Sequence, residues 1–328
     1  MSIQKREQLM LTNITCESLL RADHPYRKIA AVLNLNPLFT DFERLYSKVG
    51  APGISLEKGI KAMILQFMED YSDRQMESAL CENIAVKWFC HFELGQSTPD
   101  HSYFGKLRDR LGTSNVAKIF NLVVDQMRSR GIVSDVFNFI DSTAIITKTA
   151  LWTERDKAIS DGLKKLDNKS VGKYSADKQA RIGCKGKNKF WYGYKRHVNV
   201  EMGSGVVTKV AMTPANVSDG KALKHVCPDR GMVFADKAYC GRDTQQVIKA
   251  RGCHSGVILK NNMKDKDHRR DKWLTKVRMP YEGVFSRMPT RARYRGQAKV
   301  QFQGFMEALV HNLKRWIRIE EKHPAFVT

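Results

Sequence analysis

No stretch of this 328-residue sequence approaches the roughly 18 to 20 consecutive apolar residues that a membrane helix requires, and its start, MSIQKREQLMLTNITC, lacks the apolar block of a signal peptide. Cysteine is scarce. The seven positions, 16, 81, 90, 184, 227, 240 and 253, are odd in number and never form CxxC, which argues against both a disulfide framework and a zinc knuckle. Four catalytic or nucleotide-binding signatures are also missing: GxxxxGK[ST], GxGxxG, GxSxG and HExxH. His197, His225, His254 and His268 have neither the mutual spacing nor the cysteine partners of a zinc site. Acid is in short supply, with 34 Asp+Glu against 56 Lys+Arg and a net charge of +22. These absences lead us to expect a soluble cytoplasmic protein, nucleoid-associated, with no membrane partner.

A hydrophobic fraction of 42% and an aromatic fraction of 9% are enough to bury a core, and the length suggests two domains. The positive excess points to a polyanionic partner. It is concentrated: Lys164 to Arg196 holds 11 basic and 2 acidic residues, and Lys260 to Lys299 holds 13 and 4, so two windows carry 18 of the 22 excess charges. A single charge run is ordinarily a solvated surface. Both windows, however, interleave aromatics (Tyr174, Phe190, Trp191, Tyr192 and Tyr194; Trp273, Tyr281 and Tyr294), as a nucleic-acid surface does when cations neutralise phosphates and rings stack on bases.

The hydrophobic period divides the chain. Residues 1–131 read as an all-α module. Ser55 caps a helix with Leu56, Ile60, Met63, Ile64 and Phe67 on one stripe, and Ser72 with Gln75 makes a capping box. Thr98-Pro99 marks a third start, and Ser114 opens a fourth helix that carries Val116, Ile119, Phe120, Val123 and Met127 and stops at Gly131. Residues 132–328 read as an α/β domain: strands over 136–141, 190–201, 205–212, 232–235 and 257–259, and helices from Asp219 and from Gly241 to Ala250. A basic insertion at about 148–189 carries one short helix near 155–166. The final helix shows Phe305, Ala308, Leu309, Leu313 and Trp316 at helical spacing.

Two carboxylates share a context: FNFI-Asp141 and MVFA-Asp236 each end an apolar strand run. Functional sites of α/β sheets lie at the carboxyl ends of strands, so parallel neighbours would bring these acids together, and a divalent cation relieves the repulsion between them. Either acid taken alone is also explained as a cap for the turn or helix that follows it. Two-metal phosphodiester cleavage wants a third carboxylate. Glu282 stands in an acid-poor helical segment four residues after Arg278, a spacing that an ordinary surface ion pair also explains. Glu307 is the rival, but its neighbours suggest packing.

FIDST around Asp141, KGKNKFWYGYKRHVNVEMGSGVVTKVAMTPANVSD (185–219), VFADKAYCG around Asp236, RMPYEGVFSRM (278–288), RYRGQAKVQFQ (293–303) and HNLKR (311–315) resemble the DDE transposases of bacterial insertion sequences, in particular insertion-sequence family five. TPDHSYFGKLRDRLG (98–112) resembles the helical module that precedes their catalytic domain. The resemblance implies an RNase H-like mixed sheet with flanking helices behind an all-α N-terminal domain. It implies Asp141, Asp236 and Glu282 as the catalytic and metal-binding triad, with two Mg²⁺ or Mn²⁺ ions, and double-stranded DNA as partner, both the terminal inverted repeats and the target. A homodimer on DNA is the minimal assembly. DNA contacts are expected from Lys185, Lys187, Lys189, Trp191, Tyr194, Lys195, Arg196, Lys237, Tyr239, Arg278, Arg287 and Arg291, with Trp191 and Tyr192 as stacking candidates. The family pattern has a basic residue seven positions after the glutamate, where this chain has Pro289. Two other readings are a non-catalytic DNA-binding repressor derived from such an enzyme and a stand-alone RNase H-like nuclease; the second leaves the helical module unexplained.

Overall fold

The computed structural model describes residues 14–43, 45, 53–147, 157, 159–162, 166–186, 188–263, 266–286 and 288–322; of Glu43, Glu282, Phe285 and Ser286 it describes the backbone. The chain divides into two compact units, Met1–Arg110 and Leu111–Thr328.

The first unit is helical: α1 (Cys16–Leu19), α2 (Pro25–Val32), α3 (Asn36–Glu43), α4 (Leu56–Met68), α5 (Asp73–Glu82), α6 (Ile84–Phe89) and the start of α7 (His101–Ser129). Its expected starts are realised through side-chain oxygens that accept otherwise orphaned N–H groups. Ser55 Oγ accepts from Lys58 N, and Ser72 and Gln75 exchange both bonds of a capping box. Ile60, Met63, Ile64 and Phe67 are buried along α4. Asp73 ties the unit together by accepting both arms of Arg108 (2.7 and 2.6 Å) and the Gln66 amide (2.7 Å).

α7 is broken at Gly112 (φ 61°, ψ 178°), a left-handed conformation that a side chain disfavours. The apolar face beyond it (Val116, Ile119, Phe120, Val123, Met127) is buried within the second unit, where the Phe120 ring lies 5.6 Å from that of Phe305. The boundary between units therefore falls near the Gly112 break rather than after Gly131.

In the second unit β1 (Phe137–Ile146), β2 (Arg181–Lys185), β3 (Lys189–Glu201), β4 (Val207–Pro214), β5 (Met232–Ala235) and β6 (His254–Val257) form one mixed sheet. β1 is central. It pairs antiparallel with β3 and parallel with β5, which in turn pairs parallel with β6. β4 lines β3 over Tyr194–Val200, and β2 continues that edge over Lys189–Gly193. The helices are α8 (Val171–Tyr174), α9 (Asp219–Val226), α10 (Arg242–Ala250), α11 (His268–Ser286) and α12 (Gln297–Lys322). On one face Ile140, Val233 and Ala235 pack with Leu223, Val226 and Ile248 of α9 and α10. On the other, Ile145, Tyr194 and Met212 pack with Val300 of α12, and α11 lies over β1 and β5, its Trp273 ring 6.3 Å from Phe234. This is a mixed sheet between two helical layers, the RNase H-like arrangement expected.

Two expected boundaries are corrected. β1 does not stop at Asp141 but runs to Ile146, because β3 continues to pair with it after β5 has ended. β6 is Cys253's successor run, 254–257 rather than 257–259, because its register is fixed against Met232–Ala235. Half of the positions of the helix expected near 155–166 lie outside the described residues.

Candidate active site

The parallel pairing of β1 and β5 ends at Ile140 opposite Ala235, so the next residues on the two strands, Asp141 and Asp236, leave the pair side by side. Phe139 and Asp141 alternate onto the face of β1 covered by α11, while Asp236 follows Ala235 just beyond the end of β5. Asp236 also caps the 3₁₀ turn Lys237–Tyr239, its Oδ1 accepting from Ala238 N (2.8 Å). Asp141 Oδ1 accepts from its neighbour's amide, Ser142 N (2.7 Å). Burial pushes the Asp141 carboxyl up to about 6; the Ser142 N–H opposes this, Asp236 adds to it, and Arg278 and Lys185 offset part of it.

Arg278 reaches this site from α11, its guanidinium 5.7 Å from the Phe139 ring centre. Glu282 follows one turn later on the same helix face by spacing. Its side chain lies outside the described residues, as do Lys187 and Arg287. Among the described residues no group of three or more His, Cys, Asp or Glu side chains is gathered to hold a metal. Asp141 and Asp236 make two.

A cleft of about 690 Å³ opens beside Asp236, lined among others by Lys195, Asp219, Lys237, Lys260 and Asn262. Lys195 is held in place there, donating to Asp219 Oδ1 (2.9 Å) and Val217 O (3.0 Å). On sequence Asp219 reads only as a helix start, not as a site residue. Its only signal is the PANVSD run that opens α9.

The expected DNA contacts separate into two groups. Lys185, Lys189, Lys237 and Arg291 are exposed, and Lys195, Trp191 and Arg278 are partly exposed. Arg196, Tyr194 and Tyr239 are each 0% exposed and are corrected to core residues. Arg196 pairs with Glu307, and the Tyr194 hydroxyl donates to Asp177, with burial and that carboxylate holding its phenol above the usual range. Tyr239 sits beneath the two acids, its phenol raised well above normal by burial and by Asp219, Asp141 and Asp236. Tyr192, named for stacking, is buried with its hydroxyl on Ser175 Oγ (2.6 Å). Trp191 packs on Gly183 and donates to Tyr194 O (3.1 Å). The aromatic that the second unit presents to solvent from β3 is Phe190, 64% exposed.

Comparison with known families decides the assignment. Residues 135–313 match the model described as transposase DDE domain, and residues 14–110 match that described as transposase domain (DUF772). The chain belongs to the DDE transposase family. Members of this family generally use divalent metal ions. Among solved structures, the chain is similar to the piggyBac transposase synaptic complex with hairpin DNA at TM-score 0.43 and 9% identity, covering 94% of this chain and 75% of that one. It is also similar to the Mos1 transposase paired-end complex with left transposon end, at TM-score 0.18 and 8% identity, covering 87% and 86%.

Proposed function

We propose that this DDE transposase serves a bacterial insertion sequence of family five, binds the terminal inverted repeats of its element and the target DNA as a homodimer, and cuts and joins strands at Asp141, Asp236 and Glu282. The observation that carries the reading is the placement of Asp141 and Asp236 side by side where β1 and β5 part, inside a basic surface.

The donor set suits hard divalent cations, Mg²⁺ or Mn²⁺: oxygen ligands only, and one carboxyl raised partly by its acidic neighbour, a repulsion that a cation removes. Two such ions held by the three acids would supply activation of water and of the freed 3′-hydroxyl and charge stabilisation at the leaving oxygen. The chain's own groups position the DNA. Lys195, fixed by Asp219, and Lys237 line the cleft beside Asp236 and take phosphate oxygens there. Arg278 sets a guanidinium next to Asp141. Lys185, Lys189, Trp191 and Arg291 follow the strand outward, and Lys187 and Arg287 join them on sequence grounds.

The test is Mn²⁺-dependent cleavage of a duplex carrying the element's end, comparing wild type with Asp236→Asn. Cleavage should fall by more than the roughly 10- to 100-fold typical of residues that merely support a metal ligand. Equal cleavage by both proteins overturns the carboxylate assignment. Binding without cleavage by the wild type favours the repressor reading, which the Pro289 departure supports.

A further inference from the structure

Between α11 and α12 the described residues 288–296 form no helix, yet their backbone is held on both edges. On one edge it runs beside the end of β1: Ile146 N donates to Thr290 O (2.8 Å) and Ala292 N donates to Ile146 O (2.9 Å). On the other edge the alternate residues are met by two buried side chains. Arg196 Nη1 donates to Pro289 O (3.1 Å), Gln303 Nε2 donates to Arg291 O (2.9 Å), and Gln303 Oε1 accepts from Arg293 N (2.8 Å). These side chains are joined to one another through Glu307, which accepts from Arg196 Nη1 (2.6 Å) and from Gln303 Nε2 (2.7 Å). At the far end Gly296 N donates to Asp177 Oδ2 (3.0 Å).

We propose that Arg196, Gln303 and Glu307 form a clamp whose task is positional: it fixes the strap that leaves α11 against β1, and so holds the helix of Glu282 in place relative to the strand of Asp141. This rests on the catalytic reading above. Three observations favour position over stability. Arg196 and Glu307 are 0% and 6% exposed, and burial of such a pair is roughly neutral against apolar side chains of similar size. Arg196 also leaves Nε and Nη2 buried without an acceptor among the described residues, a cost that a purely stabilising residue would not carry. Finally, the described hydrogen bonds that Arg196 and Gln303 make outside the clamp go to backbone groups of 289, 291 and 293, so they are directed at the strap. Displacement of a reacting group by about 1 Å can cost about 100-fold in rate. Arg196 and Glu307 are positioning residues, remote from the DNA.

The test is the double variant Arg196→Met with Glu307→Leu in the full chain, which removes the ion pair without leaving a lone buried charge. Three quantities are read: urea stability, binding of the terminal-repeat duplex, and Mn²⁺-dependent cleavage of it. The expected result is stability and duplex binding within about threefold of wild type in equilibrium constant, cleavage at least about 10-fold slower, and amide exchange at Ala292 and Arg293 at least about 10-fold faster with Val233 unchanged. Cleavage within threefold of wild type overturns the proposal, as does unchanged exchange in the strap. Should the double variant not fold, Arg196→Lys decides. Its single ammonium lacks the fork that serves Glu307 and Pro289 together, so cleavage should fall with the fold kept, and full activity overturns the clamp. Failure of the catalytic reading shows separately, as wild-type protein that binds the duplex and leaves it uncut.

Discussion

Asp141 is asked to be a carboxylate where burial favours the acid. Its folded value of about 6 lies above the ordinary 3.8, so the folded state holds a proton that the unfolded chain has released between those values. Metal-free stability therefore falls as pH rises from about 4 to about 6 and stays reduced above that. Asp141→Asn escapes the penalty. In EDTA its melting temperature should exceed that of wild type at pH 7.5, by up to about 3 kcal/mol in stability, and the two should converge near pH 4. Adding Mn²⁺ at pH 7.5 should raise the wild-type melting temperature and leave Asp141→Asn where it was, since only the former gains a ligand for the ion. A variant that melts below wild type at every pH would show that Asp141 serves packing. Lys195 invites a similar argument. Its ammonium is already ordered by Asp219, so little entropy remains to be lost when a phosphate arrives. Asp219→Asn should keep the lysine and its bond to Val217 O but remove the ion pair, weakening duplex binding by about 3- to 10-fold with the fold intact.

At the scale of elements, what was legible on sequence is what depends on local pattern. The stripe of α4, the Ser72–Gln75 box, the MVFA strand and the α10 helix all follow from period and caps, and each stands where expected. What was not legible depends on which partner covers a strand. β3 is buried at nearly every position from Tyr192 to Glu201, on both faces, so its Arg196 and Tyr194 look like surface residues in a basic window but lie in the interior. Charge counting cannot see Glu307, 111 positions away, which neutralises Arg196. The same blindness hid Asp219. The apolar run of β1 is interrupted at Asp141-Ser142-Thr143, whereas its backbone ladder with β3 continues to Ile146. That ladder makes a specific demand at Gly193 (φ 149°), where a Cβ would stand 2.0 Å from Ile145 O. Gly193→Ala should force the two strands apart and destabilise the second unit by at least about 2 kcal/mol in urea unfolding. Gly186→Ala, at a turn with open space around it, serves as the milder comparison.

For the whole molecule the decisive quantity is the +22 excess, and the structure indicates where the acids are spent. Asp73, Asp135, Asp219 and Glu307 are each already paired with Arg or Lys inside their own unit, as Asp229 is with Lys209 and Arg251. Internal pairing does not change the net charge, so the whole surplus of base remains for outside partners or for self-repulsion. A polyanion relieves that repulsion, and duplex DNA does so by releasing its condensed counterions, which makes the interaction steeply dependent on salt. If six to ten phosphates are neutralised per protomer, duplex affinity should fall by about 10³ to 10⁵ between 50 and 200 mM NaCl. The same slope should appear with a duplex of unrelated sequence, because phosphate contacts carry no sequence information. Replacing Lys195 by Gln should lower the slope by about one, as loss of a single phosphate contact does, while Arg196→Met paired with Glu307→Leu should leave it unchanged because Arg196 is buried. A slope that drops with Arg196 and not with Lys195 would reverse the assignment of surface and core along β3.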